Sequence, residues 1–156
     1  TNSFAVTTNG TIIFNEGRIT SLDGATVGSI TPAAVTGTNI LANNTLGYSA
    51  GSGGTITQAS NKTTAVTLNK INGEIVMNDA ALADDATATF TLTNNLINDS
   101  NVVIVNVASV GTPGAYQVTV GAVADGSCSI SVLNVSGGSL SQAIKLNFAV
   151  IAAIHS

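Results

Sequence analysis

Short runs in which every second residue is apolar and the residues between are threonine or serine constrain this chain more than any other feature. Residues 87–93 read Thr-Ala-Thr-Phe-Thr-Leu-Thr. Side chains alternate across a β-strand, so Ala88, Phe90 and Leu92 share one face and the four threonines the other. The same logic puts Tyr116, Val118 and Val120 on one face within 115–120, opposite Gln117 and Thr119. Within 127–133 it puts Cys128, Ile130 and Val132 opposite Ser127, Ser129 and Ser131. In 144–154, Ile144, Leu146, Phe148, Val150, Ala152 and Ile154 share a face. The other face begins with Lys145 and Asn147 and turns apolar at Ala149, Ile151 and Ala153. Residues 102–107 are apolar on both faces apart from Asn106, which suits a central strand or one covered by a neighbouring subunit. Shorter strands are expected at 55–58, 64–68 and 73–78. Helical periodicity is nearly absent, and Thr, Val, Asn and Gly favour strands and turns.

Turn residues punctuate these runs at Asn72-Gly73, Asp84-Asp85, Asn98-Asp99-Ser100, Pro113-Gly114, Asp125-Gly126 and Gly137-Gly138. The spacing predicts an all-β fold: an antiparallel β-sandwich, jelly-roll-like, of about eight strands over residues 55–156. Residues 1–54 read differently. Strands at 4–8 and 11–14 would form a hairpin across Asn9-Gly10. Residues 20–54 are rich in Gly, Thr, Ala and Asn with weak periodicity, and the Gly51-Ser52-Gly53-Gly54 run marks a boundary. This part is expected to be an extended amino-terminal arm that orders against partners.

Charge limits the partners. Only 8% of residues are charged, about a third of the globular norm of roughly 25%. Part of the surface is therefore expected to be buried against other subunits, or coated with Thr, Ser and Asn. Arg18, Lys62, Lys70 and Lys145 are the only fixed cations, and the net charge is −4. Tracking a phosphate backbone requires clustered cations, so neither nucleic acid nor an anionic membrane is an expected partner. No run of 18 apolar residues suggests a spanning helix. Thr1–Gly10 lacks the basic and apolar regions of a secretory signal.

Candidates for chemistry are few. His155 is the only histidine and lies next to the carboxyl terminus, where a base is poorly held. Cys128 is the only cysteine and alternates with apolar residues, which suits a core position. The carboxylates are Glu16, Asp23, Glu74, Asp79, Asp84, Asp85, Asp99 and Asp125, mostly within turns where Asp is a turn former. Asp79 with Asp84 and Asp85 is the one grouping that suggests a Ca²⁺ loop, without EF-hand spacing. No catalytic, cofactor-binding or metal-binding residues are assigned, no cofactor is expected, and the chain is not expected to be an enzyme. Partner contact falls instead on the apolar residues of the arm, Phe4, Val6, Ile12, Ile13 and Phe14, and of the linker, Ile40, Leu41, Leu46 and Tyr48.

Several runs together carry a resemblance. They are Leu46-Gly47-Tyr48-Ser49-Ala50-Gly51-Ser52-Gly53-Gly54-Thr55-Ile56-Thr57-Gln58, Lys62 to Lys70, Gly73-Glu74-Ile75, Asn78 to Leu82, and Gly138 to Phe148. Over about residues 45–154 the chain resembles a domain of tailed-phage and prophage virion proteins, of the capsid decoration (cement) or short fibre-appendage type. The resemblance implies a non-enzymatic virion structural protein made in the host bacterial cytoplasm. Its expected place is the virion surface, on the head, bound to the major capsid protein as a homotrimer. A fibre or appendage module for host adhesion is the alternative, and a surface-layer or pilus-like subunit a more distant one. No catalytic residues come with the resemblance.

Overall fold

The structure is a computed structural model and describes residue 42, residues 45–109 and residues 111–153. Thr45–Ser156 form one compact unit, separate from Thr1–Asn44. Eight strands make up the described fold: β1 Thr55–Thr57, β2 Val66–Thr67, β3 Asn72–Val76, β4 Thr87–Thr93, β5 Val102–Ser109, β6 Tyr116–Ala124, β7 Ser127–Asn134 and β8 Lys145–Ile151. Each coincides closely with a run of alternating or β-branched residues, and the turn residues fall between them. Gly126, at φ 81°, takes the left-handed position that closes the β6–β7 hairpin.

Two four-stranded sheets form, ordered β1-β3-β8-β5 and β2-β4-β7-β6. The fold is the all-β, eight-stranded sandwich that the alternation predicts. Pairing is mixed rather than wholly antiparallel, because β1 runs parallel to β3 and β2 parallel to β4. The two parallel strands are only three and two residues long. Each is therefore a short border on an otherwise antiparallel sheet. Packing also places residues 45–54 with the sandwich, ahead of the Gly-rich boundary. Tyr48 donates its hydroxyl to the Val150 carbonyl, and the Ser52 hydroxyl lies 3.2 Å from Asn72 Oδ1.

The inward residues of the alternating runs meet between the sheets. Ala88, Phe90 and Leu92 of β4 pair across β7 with Val132, Ile130 and Cys128, and all six are buried. Ile75, Leu146, Phe148 and Val150 supply the facing layer from the first sheet. Gly73 is required where β3 lies beside the residue entering β1, because a Cβ there would lie 2.6 Å from the Gly54 carbonyl oxygen. On the outer face of the second sheet stand Thr87, Thr89, Thr91 and Thr93 beside Ser127, Ser129 and Ser131. Thr89 and Ser131 share a hydroxyl–hydroxyl hydrogen bond of 2.8 Å. The hydroxyls hydrate the sheet without any charge.

Buried polar side chains tie down the ends of the sandwich. The Asn134 amide divides its N–H donors among the carbonyls of Leu82, Ala83 and Gly138 at 2.7–3.1 Å, and its oxygen accepts from Ser136 N. Asn94 holds the Lys70 carbonyl at 2.6 Å and accepts from Leu96 N. Gln58 donates to the carbonyls of Lys62 and Thr64 and accepts from Asn78 N. Lys62, a residue only 3% exposed, donates from its ammonium to the carbonyls of Asn78 and Gln142. Desolvation lowers its pKa, an effect Asp79 partly opposes.

Asn134→Ala removes four hydrogen bonds of a fully buried amide, three to the carbonyls of Leu82, Ala83 and Gly138 and one from Ser136 N. It is expected to destabilise the fold by on the order of 3 kcal/mol in urea unfolding. Thr89→Ala, on the solvated face, is expected to change stability by less than about 0.5 kcal/mol.

Candidate docking surface

The outer face of the first sheet differs from that of the second. Along β8 its outward residues are Lys145, Asn147, Ala149 and Ile151, polar at one end and apolar at the other. Along β5 they are Val102, Ile104, Asn106 and Ala108. The antiparallel register sets like against like: Val102 opposite Ile151, Ile104 opposite Ala149, and Asn106 opposite Asn147. At the polar end, Lys145 Nζ lies 3.1 Å from Glu74 Oε1 of β3, so the two charges compensate each other. The apolar end therefore becomes a continuous patch in which Val102 and Ile104 are each 50% exposed and Ile151 is 46% exposed.

The segment entering the sandwich lies over this patch. Leu46, Gly47 and Tyr48, with Ala149 and Ile151, line a shallow groove of about 490 Å³. Tyr48 is held there for a backbone reason. Val150 donates its N–H to the Ile71 carbonyl, just before β3 begins, and the Val150 carbonyl accepts the Tyr48 hydroxyl. The Tyr48 hydroxyl is thereby fixed at the sheet end while Leu46 stays 78% exposed. A monomer rarely leaves a contiguous apolar surface of this kind without a use for it.

Of the partner-contact residues expected from the sequence, the structure brings Leu46 and Tyr48 together in this groove. Phe4, Val6, Ile12, Ile13, Phe14, Ile40 and Leu41, with the hairpin across Asn9-Gly10, lie outside the described residues. Sequence reasoning missed Val102, Ile104, Ala149 and Ile151 as surface residues. The signal was present, since both runs are apolar on two faces. Of the two readings open for 102–107, a central strand is excluded. β5 is an edge, and its outer face is exposed.

The carboxylates serve the loops. Asp84 Oδ1 accepts from Gly137 N at 2.9 Å, Asp125 Oδ1 accepts from Asp99 N at 3.2 Å, and Asp85 sits at φ 56° in its turn. Among the described residues no three His, Cys, Asp or Glu side chains come together as a metal site. Glu16, Asp23 and His155 lie outside the described residues. Cys128 is buried, and desolvation pushes its thiol up to about 11. Family models, curated proteins and solved structures were all compared with the chain, and none matches.

Cys128 yields a pH prediction. Its native pKa lies above the 9.0 of the free thiol, so the folded state holds the proton more tightly. The stability it contributes is whole below pH 9 and is lost as pH rises through about 11. Cys128→Ala is expected to flatten that alkaline loss in denaturant melts. At neutral pH a thiol reagent is expected to label the native protein far more slowly than the unfolded chain.

Proposed function

We propose that this chain is a non-enzymatic structural protein of a virus particle, a capsid decoration protein that binds the assembled phage head. The observation that carries the reading is the apolar end of the first sheet, where Leu46, Tyr48, Val102, Ile104 and Ile151 face outward on a rigid frame. A sheet end of this chemistry suits a broad protein partner. The four cations of the chain do not suit nucleic acid. The resemblance over residues 45–154 to tailed-phage virion proteins supports the choice of partner, the major capsid protein. The sparse charge supports self-association of the bound copies.

The mechanism is linkage. A protein that binds the closed shell and not its separated subunits stabilises the shell by its binding free energy. The hydroxyl-lined face of the second sheet remains for solvent. It hydrates the particle surface without adding charge. The same hydroxyl face is the feature that favours the second reading, an appendage module that touches a host surface.

Gold-labelled antibody against the protein, viewed on intact virions, tests the location. Label spread over the head is the expected result. Label confined to the tail or one vertex selects the appendage, and virions without label sink both readings. The surface itself is tested by Leu46→Asp combined with Ile151→Asp. Both side chains are exposed, so melting is expected to stay within a few degrees of wild type. Occupancy on purified heads is expected to fall at least tenfold, and full occupancy would remove this sheet end from the contact.

A further inference from the structure

The four sheet edges of the sandwich differ. β1 and β2, at one side, are three and two residues long and offer little to a pairing strand. β6, at the other side, is nine residues long, but a register shift between Val120 and Val123 breaks its run. β5 remains. It is eight residues long and carries no charge and no proline; its own register shift falls only after Val107, before Ser109, and leaves Val102 to Val107 regular. Charges, prolines, bulges and shortness are the ordinary protections of an edge, and the Val102–Val107 stretch has none of them.

The pairing pattern shows which main-chain groups lack a strand partner, although the Val107 carbonyl accepts from Asn106 Nδ2 at 3.3 Å and keeps only its second lone pair for a neighbour. Val150 of β8 bonds toward the β3 side, through Ile71. Residues alternate in bonding direction along an antiparallel strand, so Ala149 and Ile151 bond toward β5, to Ile104 and Val102. Val103, Val105 and Val107 therefore direct their N–H and C=O groups away from the sheet. Among the described residues these groups have no strand partner.

We infer that β5 is a self-association edge, and that two copies of this chain pair β5 to β5 antiparallel about a two-fold axis at Val105. That register sets Val105 opposite its own copy and Val103 opposite Val107 in both directions. It uses every outward N–H and C=O of the three residues, in six main-chain hydrogen bonds. It also sets Ile104 opposite Asn106 on the outer face. On the inner face it covers Val105 and Val107, which the single subunit leaves half-buried. Each copy bears a net charge of −4, so a partner copy is tolerated only where the contact is neutral. β5 is uncharged, and the Glu74–Lys145 pair compensates itself at the far end of the sheet. The result is a continuous eight-stranded sheet whose outer face carries two apolar ends, each set beside the Asn106 end of the other copy. The pairing yields a dimer, not the trimer expected from the sequence, and it holds whatever particle the protein serves.

Sedimentation and light scattering of the full chain test it, together with amide exchange. Wild type is expected to form a concentration-dependent dimer of twice 15.4 kDa, with slow exchange at Val103, Val105 and Val107. Val105→Pro removes a donor that faces the open edge, so it breaks no bond within the subunit. It is expected to give a folded monomer. Ile104→Lys adds an edge charge at an exposed site and is expected to weaken the dimer at least tenfold, should the proline variant fold poorly. Thr91→Lys, on the opposite sheet, is expected to leave the dimer intact. A wild-type monomer, even one with these amides protected, overturns the inference. So does a trimer, or a dimer that survives both β5 variants.

Discussion

The apolar layer between the two sheets governs the rest of the molecule. Side chains alternate with a period of two, so a slip of one residue would turn a whole strand inside out. In β4 such a slip would expose Ala88, Phe90 and Leu92 and bury four threonines. In β7 it would bury three serines and expose Cys128, Ile130 and Val132. Burial therefore selects one register, and that register places the hydroxyls of both strands on one outer face. The same constraint acts on β8 and β5 with a different outcome. Their inner residues lock the register, and the outer ones follow wherever it puts them. Val102 beside Ile151 is a consequence of Val103 beside Val150 in the core.

A locked core still leaves loops whose backbone groups need partners. Buried amides and one ammonium meet that need. Asn134, Asn94 and Gln58 each turn donors and an acceptor toward separate stretches of chain. Lys62 binds two carbonyls contributed by loops 16 and 80 residues away in sequence. Such groups are costly if any partner is lost, which makes them specific for one loop arrangement. With so few ion pairs among the described residues, the chain relies on neutral hydrogen bonds to fix geometry that other proteins of its size secure with surface charge as well.

Strand positions and inward faces were legible in the sequence because burial and period-two alternation are the same physical fact. Ile130 and Leu92 are fully buried, as their spacing requires. Pair direction was not legible. β1 and β2 are too short to carry a pattern, and nothing local distinguishes a parallel border from an antiparallel one. The exposed apolar sheet end was half legible. Leu46 and Tyr48 stand out as apolar residues in a Gly-rich stretch. Val102 and Ile104 belong to a run whose apolar outer face is read equally well as interior. Only the strand order, with β5 at the edge, separates these readings. Alternation reports how many faces of a strand are apolar, but not how many neighbours it has. The buried roles of Gln58 and Lys62 were also hidden, since loop polar residues are ordinarily solvated.

The two sides of the sandwich are unequal, and the β5 pairing proposed above rests on this asymmetry. One side closes with borders of two and three residues, too short to recruit a strand. The other ends in β5 and β6, long strands that border the two sheets on the same side. The bulge in β6 interrupts its edge after Val120 and that in β5 comes only after Val107, so among the described residues the regular stretch of β5 is left open beside an apolar sheet end. A soluble monomer with its surface designed for isolation would carry lysine or proline at such a place. Among the described residues the cations lie elsewhere, and Lys145 is held by Glu74 at the polar end of the sheet. Sparse charge, an unprotected edge and an exposed apolar face thus point the same way. Each is a liability in a solitary protein, and each is removed when a neighbouring chain covers it.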